Sequence, residues 1–595
     1  MRRTAFQLLL SAVLASLLLV STAASQFVRP PTDLKTSIGY LDIPVRYKEV
    51  TTGACETDSS VKSFSGYVDV EQDEHIFFWF FEARNRDPKD APLTVWINGG
   101  PGSSSMIGLF QENIGPCSVN SNGTVVNNPY AWNNVSNMLF IDQPATTGFS
   151  YTRLVPGYVD PSTESLIVLP NKTCPEYAQG YGTCGTYSAP NVTLTANSTE
   201  SAAKNFYRTL QGFMGAFPQF SREDFHFATE SYGGHYGPIF NKYIEDQNAR
   251  GESKAHRIKL KSVMIGNGWY SPEVQYAAYY NFTVSPGNTY DYRPFNSSVE
   301  QMMYNNIFGP GNCLDQIRDC YATGTNQVCS TADTFCANNV ESLLDNYANR
   351  DEYDIPELSP DPFPYSFYVD YLNTPALQEA IGAFQNFSES SSTVSNAFGN
   401  TGDDGREDST IEDMRSLLDQ GVQVVMYAGD ADYNCNWLGG EVIAEQVNHQ
   451  NFEQAGYEDL QTTDGVAHGQ VKQSGLFSFV RIYHSGHEVP FYQPLAALEM
   501  FERVLNSTDI ATGKTRVSRG SCYMTSGPEK SMYREGNSTV LFEVLPVNAT
   551  YNHTTNAPSS SAKVSTRAAV VEARRAARSG GTLRSRYRFQ RPLML

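Results

Sequence analysis

Between Phe225 and Pro238 the chain reads Phe-His-Phe-Ala-Thr-Glu-Ser-Tyr-Gly-Gly-His-Tyr-Gly-Pro. Phe225 and Phe227 alternate with polar neighbours, the mark of a strand. From Tyr236 the apolar residues fall at Tyr236, Ile239, Phe240, Tyr243 and Ile244, one face of a helix. So short a passage from strand to helix forces a sharp turn, and Ser231 occupies it. Gly233 and Gly234 remove side chains that would clash with that turn. The turn lifts the serine hydroxyl out of the sheet. It also places the following N–H groups at a helix N-terminus, where developing negative charge is stabilised. The stretch predicts a nucleophile elbow, with Thr229 where the general pattern has Gly.

The rest of the chain supplies the sheet this elbow needs. Residues 74–84 and Leu93–Ile97 read as buried strands, and the second runs into Asn98-Gly-Gly-Pro-Gly-Ser-Ser-Ser105. Met138–Ile141 is a strand ending in Asp142-Gln-Pro144. Ser198-Thr-Glu opens a helix with Phe206, Leu210, Phe213 and Met214 inward. Ile258–Ile265, Val422–Tyr427 and Phe477–Tyr483 are further strands, and a helix from Pro494 to Leu505 closes the core. Strands alternating with helices predict a mainly parallel sheet with helices on both faces, an α/β-hydrolase fold. Reactive residues of such sheets collect beyond the strand C-termini. The Gly-rich loop after Ile97, Ser231, Asp432 and His487 all fall there. No repeat is evident.

The chain divides by composition. Residues 1–25 have the basic start, apolar run and small-residue end of a cleaved signal peptide. The core occupies 26–269 and 411–509. Between them, residues 270–410 are Tyr-, Asn- and Ser-rich without strand periodicity and are expected to form an inserted cap over the site. Residues 510–595 read as a tail, the last 40 or so poorly ordered or removed, with a basic helix at 564–578. The segment from 27 to 53 looks irregular.

Secretory entry fits twelve N-x-Ser/Thr sequons, at Asn122, Asn134, Asn171, Asn191, Asn197, Asn281, Asn296, Asn386, Asn506, Asn537, Asn548 and Asn552. A vacuolar destination fits as well. Either route makes disulfides the expected state of the ten cysteines. The spacing of Cys313, Cys320, Cys329 and Cys336 suggests nested pairs, Cys313–Cys336 and Cys320–Cys329, and is far from a zinc pattern. Cys174–Cys184 closes a local loop. A net charge of −20 argues against nucleic acid as partner. No later segment has the length and apolarity of a membrane span, and no metal or organic cofactor is implied.

A serine hydroxyl becomes a nucleophile when a base takes its proton, and an acid must fix that base. The order Ser, Asp, His of this fold is met by Ser231, Asp432 and His487, with Asp430 and His484 as competitors. Four stretches then carry a resemblance to the serine carboxypeptidase family, which includes carboxypeptidase Y and cathepsin A. They are Trp96-Ile-Asn-Gly-Gly-Pro-Gly102, Glu230-Ser-Tyr-Gly-Gly-His-Tyr236, Tyr427-Ala-Gly-Asp-Ala-Asp432 with Cys435-Asn-Trp-Leu-Gly439, and Gly486-His-Glu-Val-Pro490. The likeness spans about 40–505. It is strongest to secreted fungal members, through Gly102-Ser-Ser-Ser-Met-Ile-Gly-Leu-Phe-Gln-Glu112.

The resemblance implies that Ser231 is the nucleophile, His487 the general base and acid, and Asp432 its partner. It implies an oxyanion hole from the N–H groups of Gly100 and Tyr232. It sets Asn98, Gly99, Glu112 and Glu230 around the substrate's C-terminal carboxylate. It supports the nested disulfides on a cap, makes Cys435 a free thiol near the site, and leaves Cys55–Cys117 as a long-range bridge with Cys522 over. Two glutamates facing a carboxylate must share a proton, so binding should weaken as pH rises. The expectation is a secreted serine carboxypeptidase acting on peptides with free C-termini at acid pH. An esterase or acyltransferase on the same scaffold, and a binding glycoprotein with a vestigial site, are the competing readings. Ser103, where the family commonly has Cys, and Thr229 depart from the pattern.

Overall fold

The computed structural model describes residues 27–559, apart from 164, 180–181, 285–286 and 407–408. The signal peptide and most of the basic tail lie outside the described residues. Twelve strands form one sheet. In chain order they are β1 (Lys35–Ile38), β2 (Pro44–Val50), β3 (Ser63–Glu71), β4 (Glu74–Phe81), β5 (Leu93–Ile97) and β6 (Asn137–Ile141). They continue as β7 (Phe225–Glu230), β8 (Leu260–Gly266), β9 (Gln423–Gly429), β10 (Glu458–Gln461), β11 (Ala467–Ser474) and β12 (Phe477–Ile482). The spatial order is β1-β2-β3-β4-β6-β5-β7-β8-β9-β12-β11-β10. The six central strands, β6 to β12 in that order, are parallel. The flanks are antiparallel. This is the α/β-hydrolase arrangement.

Alternation along the central strands explains why helices cover both faces. Val95, Ile97, Phe227, Val263, Ile265, Val424 and Met426 belong to one apolar cluster. Trp96, Phe140, Ala228, Met264, Val425 and Val480 belong to another. Successive side chains point to opposite faces, so both faces must be buried. Each large apolar side chain removed from water contributes roughly 1.5–3 kcal/mol. The helix Thr199–Ala216 turns Phe206, Leu210, Phe213 and Met214 inward, and Ser198 Oγ accepts from the Ser201 N–H at its start. The helix Gly233–Arg250 ends at Gly251 in the left-handed region, where a glycine meets no Cβ penalty.

Three regions depart from the sequence expectation. Residues 27–53 hold β1 and β2, short edge strands whose mixed exposure gives no readable alternation. Residues 270–410 are helical, but they do not pack as one body. The helices Cys313–Thr323 and Asn326–Cys336 carry the nested disulfides Cys313–Cys336 and Cys320–Cys329. By contrast the helix Pro375–Ile381 lies against β2 and β3, where Ser65 Oγ donates to the Ile381 carbonyl at 2.7 Å. The helix Ser392–Thr401 turns back to pack on Asn326–Cys336, with Ser330 Oγ donating to the Gly399 carbonyl.

The third is the C-terminal extension. Residues 510–559 pack against the core instead of trailing from it. Arg481 Nη1 donates to Ser531 Oγ at 2.7 Å, Tyr533 stacks on Tyr483 at 3.8 Å, and Arg350 Nη1 donates to the Leu541 carbonyl at 2.6 Å. These are isolated side chains meeting core groups, which leaves no periodic signature in the sequence.

Candidate active site

The site lies along the C-terminal edge of the parallel strands. At the end of β7, Ser231 has φ +65°, a left-handed backbone that costs a non-glycine residue about 1–2 kcal/mol. Its carbonyl accepts from the N–H groups of Gly234 (2.9 Å) and Trp269 (2.8 Å), and its N–H donates to the Gly266 carbonyl (3.0 Å). A Cβ on Gly234 would lie 2.2 Å from the Trp269 carbonyl oxygen, and one on Gly233 would lie 2.1 Å from Thr229 Oγ1. Thr229 is thus accommodated because Gly233 is bare, and its hydroxyl donates to the Ile97 carbonyl at 2.7 Å. Gly234→Ala is expected to cost about 1–3 kcal/mol of stability and to displace Ser231. Denaturant unfolding and kcat, measured together, check this.

The loop after β5 lies directly on the elbow. A Cβ on Gly99 would fall 2.4 Å from the Tyr232 amide nitrogen and 3.0 Å from Ser231 Cβ. Gly100 has φ +111°. The backbones of Gly100 and Tyr232, at the start of the helix Gly233–Arg250, therefore flank Ser231.

His487 comes from the loop after β12, and Asp432 from the loop after β9. A Cβ on Gly429 would be 2.1 Å from the Gly486 carbonyl oxygen, so these two loops are in backbone contact. Asp432 Oδ2 lies 2.7 Å from His487 Nδ1, accepts from Asn267 Nδ2 at 2.7 Å, and from the Cys435 N–H at 3.2 Å. The competitors point elsewhere. Asp430 is buried 3.5 Å from Arg481 and accepts from the Tyr290 hydroxyl at 3.2 Å. His484 meets the Tyr533 hydroxyl at 3.1 Å.

Beside Ser231 is a buried carboxyl pair. Asn98 Nδ2 donates to Glu112 Oε1 at 2.6 Å, while Asn98 Oδ1 accepts from Trp96 Nε1 and the Gly108 N–H. The Glu112 and Glu230 carboxyl groups interact directly, and one oxygen of each is buried without a hydrogen-bond partner. Burial pushes Glu112 up to about 7, against the Asn98 hydrogen bond that holds it down. Burial, then the charges of Glu112 and Glu488, raise Glu230 well above the usual carboxylate range. Glu230 Oε1 is 4.0 Å from His487 Nε2.

These groups open on one cleft lined by Asn98, Gly99, Gly100, Glu230, Ser231 and His487, with Asp351, Tyr353, Phe363, Pro364, Glu488 and Tyr492 on its other walls. Sequence reasoning passes over several of these. Asn267 reads only as a strand end, and Glu488 only as part of the histidine motif. Tyr353, whose carbonyl accepts from the His487 N–H at 2.9 Å, sits in a stretch without pattern.

Disulfides join Cys55–Cys117 and Cys174–Cys184, and Cys435 and Cys522 are free. Cys435 is buried, and burial drives its thiol well up, so it is protonated at neutral pH. Its sulfur, an Asp432 oxygen and a His487 nitrogen lie within 4.8 Å of one another. The Asp432 oxygen already accepts from its three partners, which gives this cluster a hydrogen-bonding explanation. Of the sequons, nine asparagines are exposed and Asn134 and Asn552 are half-buried. Asn386 is buried, with Oδ1 accepting from the Thr186 N–H at 2.8 Å, so it is set aside as a glycan site. Among the described residues no helix is long and apolar enough to cross a membrane.

The family model described as serine carboxypeptidase matches residues 53–507. Carboxypeptidase S1 homolog B of Arthroderma otae is 40% identical over 532 residues, covering 82% of this chain and 80% of the relative. Carboxypeptidase S1 of Penicillium janthinellum is 38% identical over 469 residues, covering 78% and 99%. A prohormone-processing carboxypeptidase of Saccharomyces cerevisiae shares the fold, with TM-score 0.61, 22% identity, and coverage of 77% of this chain and 95% of that one. With its parallel sheet, serine turn and carboxyl-lined cleft, the chain belongs to the serine carboxypeptidase family and is a hydrolase of the exopeptidase type.

Proposed function

We propose that this chain is a secreted, acid-active serine carboxypeptidase working through an acyl-enzyme on Ser231. The observation that carries the reading is the buried carboxyl pair Glu112 and Glu230, with Asn98 donating to Glu112, immediately beside the serine turn. In the proton-sharing state such a pair donates to an incoming carboxylate instead of repelling it. That anchors the substrate's last residue with its peptide carbonyl over Ser231.

His487 Nε2 takes the proton from Ser231 Oγ as the oxygen attacks that carbonyl. Asp432 accepts from His487 Nδ1–H, fixes the tautomer and stabilises the imidazolium. The N–H groups of Gly100 and Tyr232 receive the oxyanion. His487 then protonates the departing amino group, the terminal residue leaves, and water hydrolyses the acyl-enzyme by the reverse proton path. The signal-like start and the exposed sequons favour the secretory route. An esterase or transferase needs no carboxylate anchor, so the buried pair favours the peptidase.

Treatment with a serine-directed phosphonylating reagent tests this reading. A single adduct on Ser231, with loss of activity in step with labelling, is the expected result. An unlabelled Ser231 in the folded protein would favour a vestigial site.

A further inference from the structure

His484 stands three residues before His487 and has φ +50°. A non-glycine residue keeps such a backbone only where its surroundings hold it. The groups that hold it come from beyond residue 507, where the family match ends. Asn556 Nδ2 donates to the His484 carbonyl at 2.8 Å, and His484 Nε2 lies 3.1 Å from the Tyr533 hydroxyl. Asn556 is itself fixed in the turn of a hairpin that pairs Thr550 with Ser559 and Asn552 with Ala557. There it has φ +54°, and its Oδ1 accepts from the Tyr551 hydroxyl at 3.0 Å.

The extension also grips the chain on either side of His484. Tyr533 stacks on Tyr483, and its carbonyl accepts from Arg481 Nη2 at 3.1 Å. Tyr551 packs on Phe491 at 4.9 Å and on Tyr492 at 5.7 Å, in the short helix Val489–Tyr492 that follows His487. The other segment that supports His487 is anchored in the same way. The Tyr353 carbonyl accepts from the His487 N–H, and the two rings lie 4.8 Å apart. On that same segment the Pro356 carbonyl accepts from the Leu541 N–H at 2.8 Å. Arg350 Nη1 donates to the carbonyls of both Pro356 and Leu541.

We propose that residues 531–559 act as a strap that positions the general base, with Asn556 as its central positioning residue. The Asn556 amide fixes the His484 peptide, and the short link from there to His487 passes that placement to the imidazole. The proposal rests on the peptidase reading, in which His487 Nε2 must meet Ser231 Oγ. A misplacement of about 1 Å can cost on the order of a hundredfold in rate. The carboxylate anchor at Asn98, Glu112 and Glu230 comes from other loops, so substrate affinity should be spared.

The test uses the full chain carrying Asn556→Gly or Asn556→Asp. Glycine keeps the left-handed turn and adds no charge. Aspartate keeps the acceptor for Tyr551 and has no Nδ2 donor. For a blocked dipeptide, both variants should lose about ten- to a hundredfold in kcat, with KM and the unfolding midpoint nearly unchanged. A merely structural contact would instead lower the midpoint and leave the kcat of the folded enzyme alone. Normal kcat in both variants overturns the proposal. Hydrogen exchange across residues 483–489 gives a readout independent of turnover. If the unsubstituted chain hydrolyses no peptide, the peptidase reading fails by itself. The strap then stands if exchange across 483–489 is faster in both variants, and falls if it is unchanged.

Discussion

Ser231→Ala should lower kcat for a blocked dipeptide by roughly ten thousand-fold or more, with little change in KM. The side chain lost is the one that forms the bond, whereas the groups that hold the substrate carboxylate remain. The fold should survive. Alanine at φ +65° meets the same left-handed penalty as serine. Equal unfolding midpoints for the two proteins would show this. A variant with more than a few per cent of normal kcat would mean that the nucleophile lies elsewhere.

The second large effect is on pH. Burial raises Glu112 to about 7, and burial with the neighbouring carboxyls raises Glu230 well above its usual range. Below about 7 the pair carries a proton and donates to a substrate carboxylate. Above it Glu112 ionises, its donor is lost, and a negative charge faces the substrate carboxylate. Affinity is therefore present at acid pH and lost as pH rises, with KM for a free-acid peptide growing by about tenfold per pH unit above the transition. The full-length double variant Glu112→Gln with Glu230→Gln keeps donors that do not ionise, and glutamine can still accept from Asn98 Nδ2. Its KM should be nearly flat from pH 5 to 8. A double variant that retains the steep rise would assign the transition to another group, such as Glu488, which burial also raises.

The sequence made legible whatever local physics dictates. The serine turn follows from a strand and a helix that meet with bare residues at Gly233 and Gly234. The central strands follow from apolar runs buried on both faces. Sequence order alone left Asp430 beside Asp432 and His484 beside His487. The choice needs three dimensions, because it turns on Arg481 lying against Asp430 and on Tyr533 reaching His484 from the C-terminal extension. Asn267, Tyr353 and Glu488 were hidden for the same reason. Asn267 and Tyr353 touch the site through contacts between distant segments, and Glu488 sits in the histidine motif with nothing in the sequence to show that its carboxyl lines the cleft. The extension itself was misleading because its Ser- and Thr-rich composition suggests a solvated tail. Its aromatic side chains, Tyr533 and Tyr551, instead find partners supplied by the core, Tyr483 and Phe491 among them.

The most direct test is release of free amino acid from an N-acylated Phe-Leu between pH 4 and 8, beside its C-terminally amidated analogue. The account predicts acid-favoured cleavage of the free acid and weaker turnover of the amide. It also predicts that the gap between them narrows as pH rises. Equal turnover of the two at every pH would contradict a carboxylate-binding role for Glu112 and Glu230, and with it the assignment of this cleft to an exopeptidase.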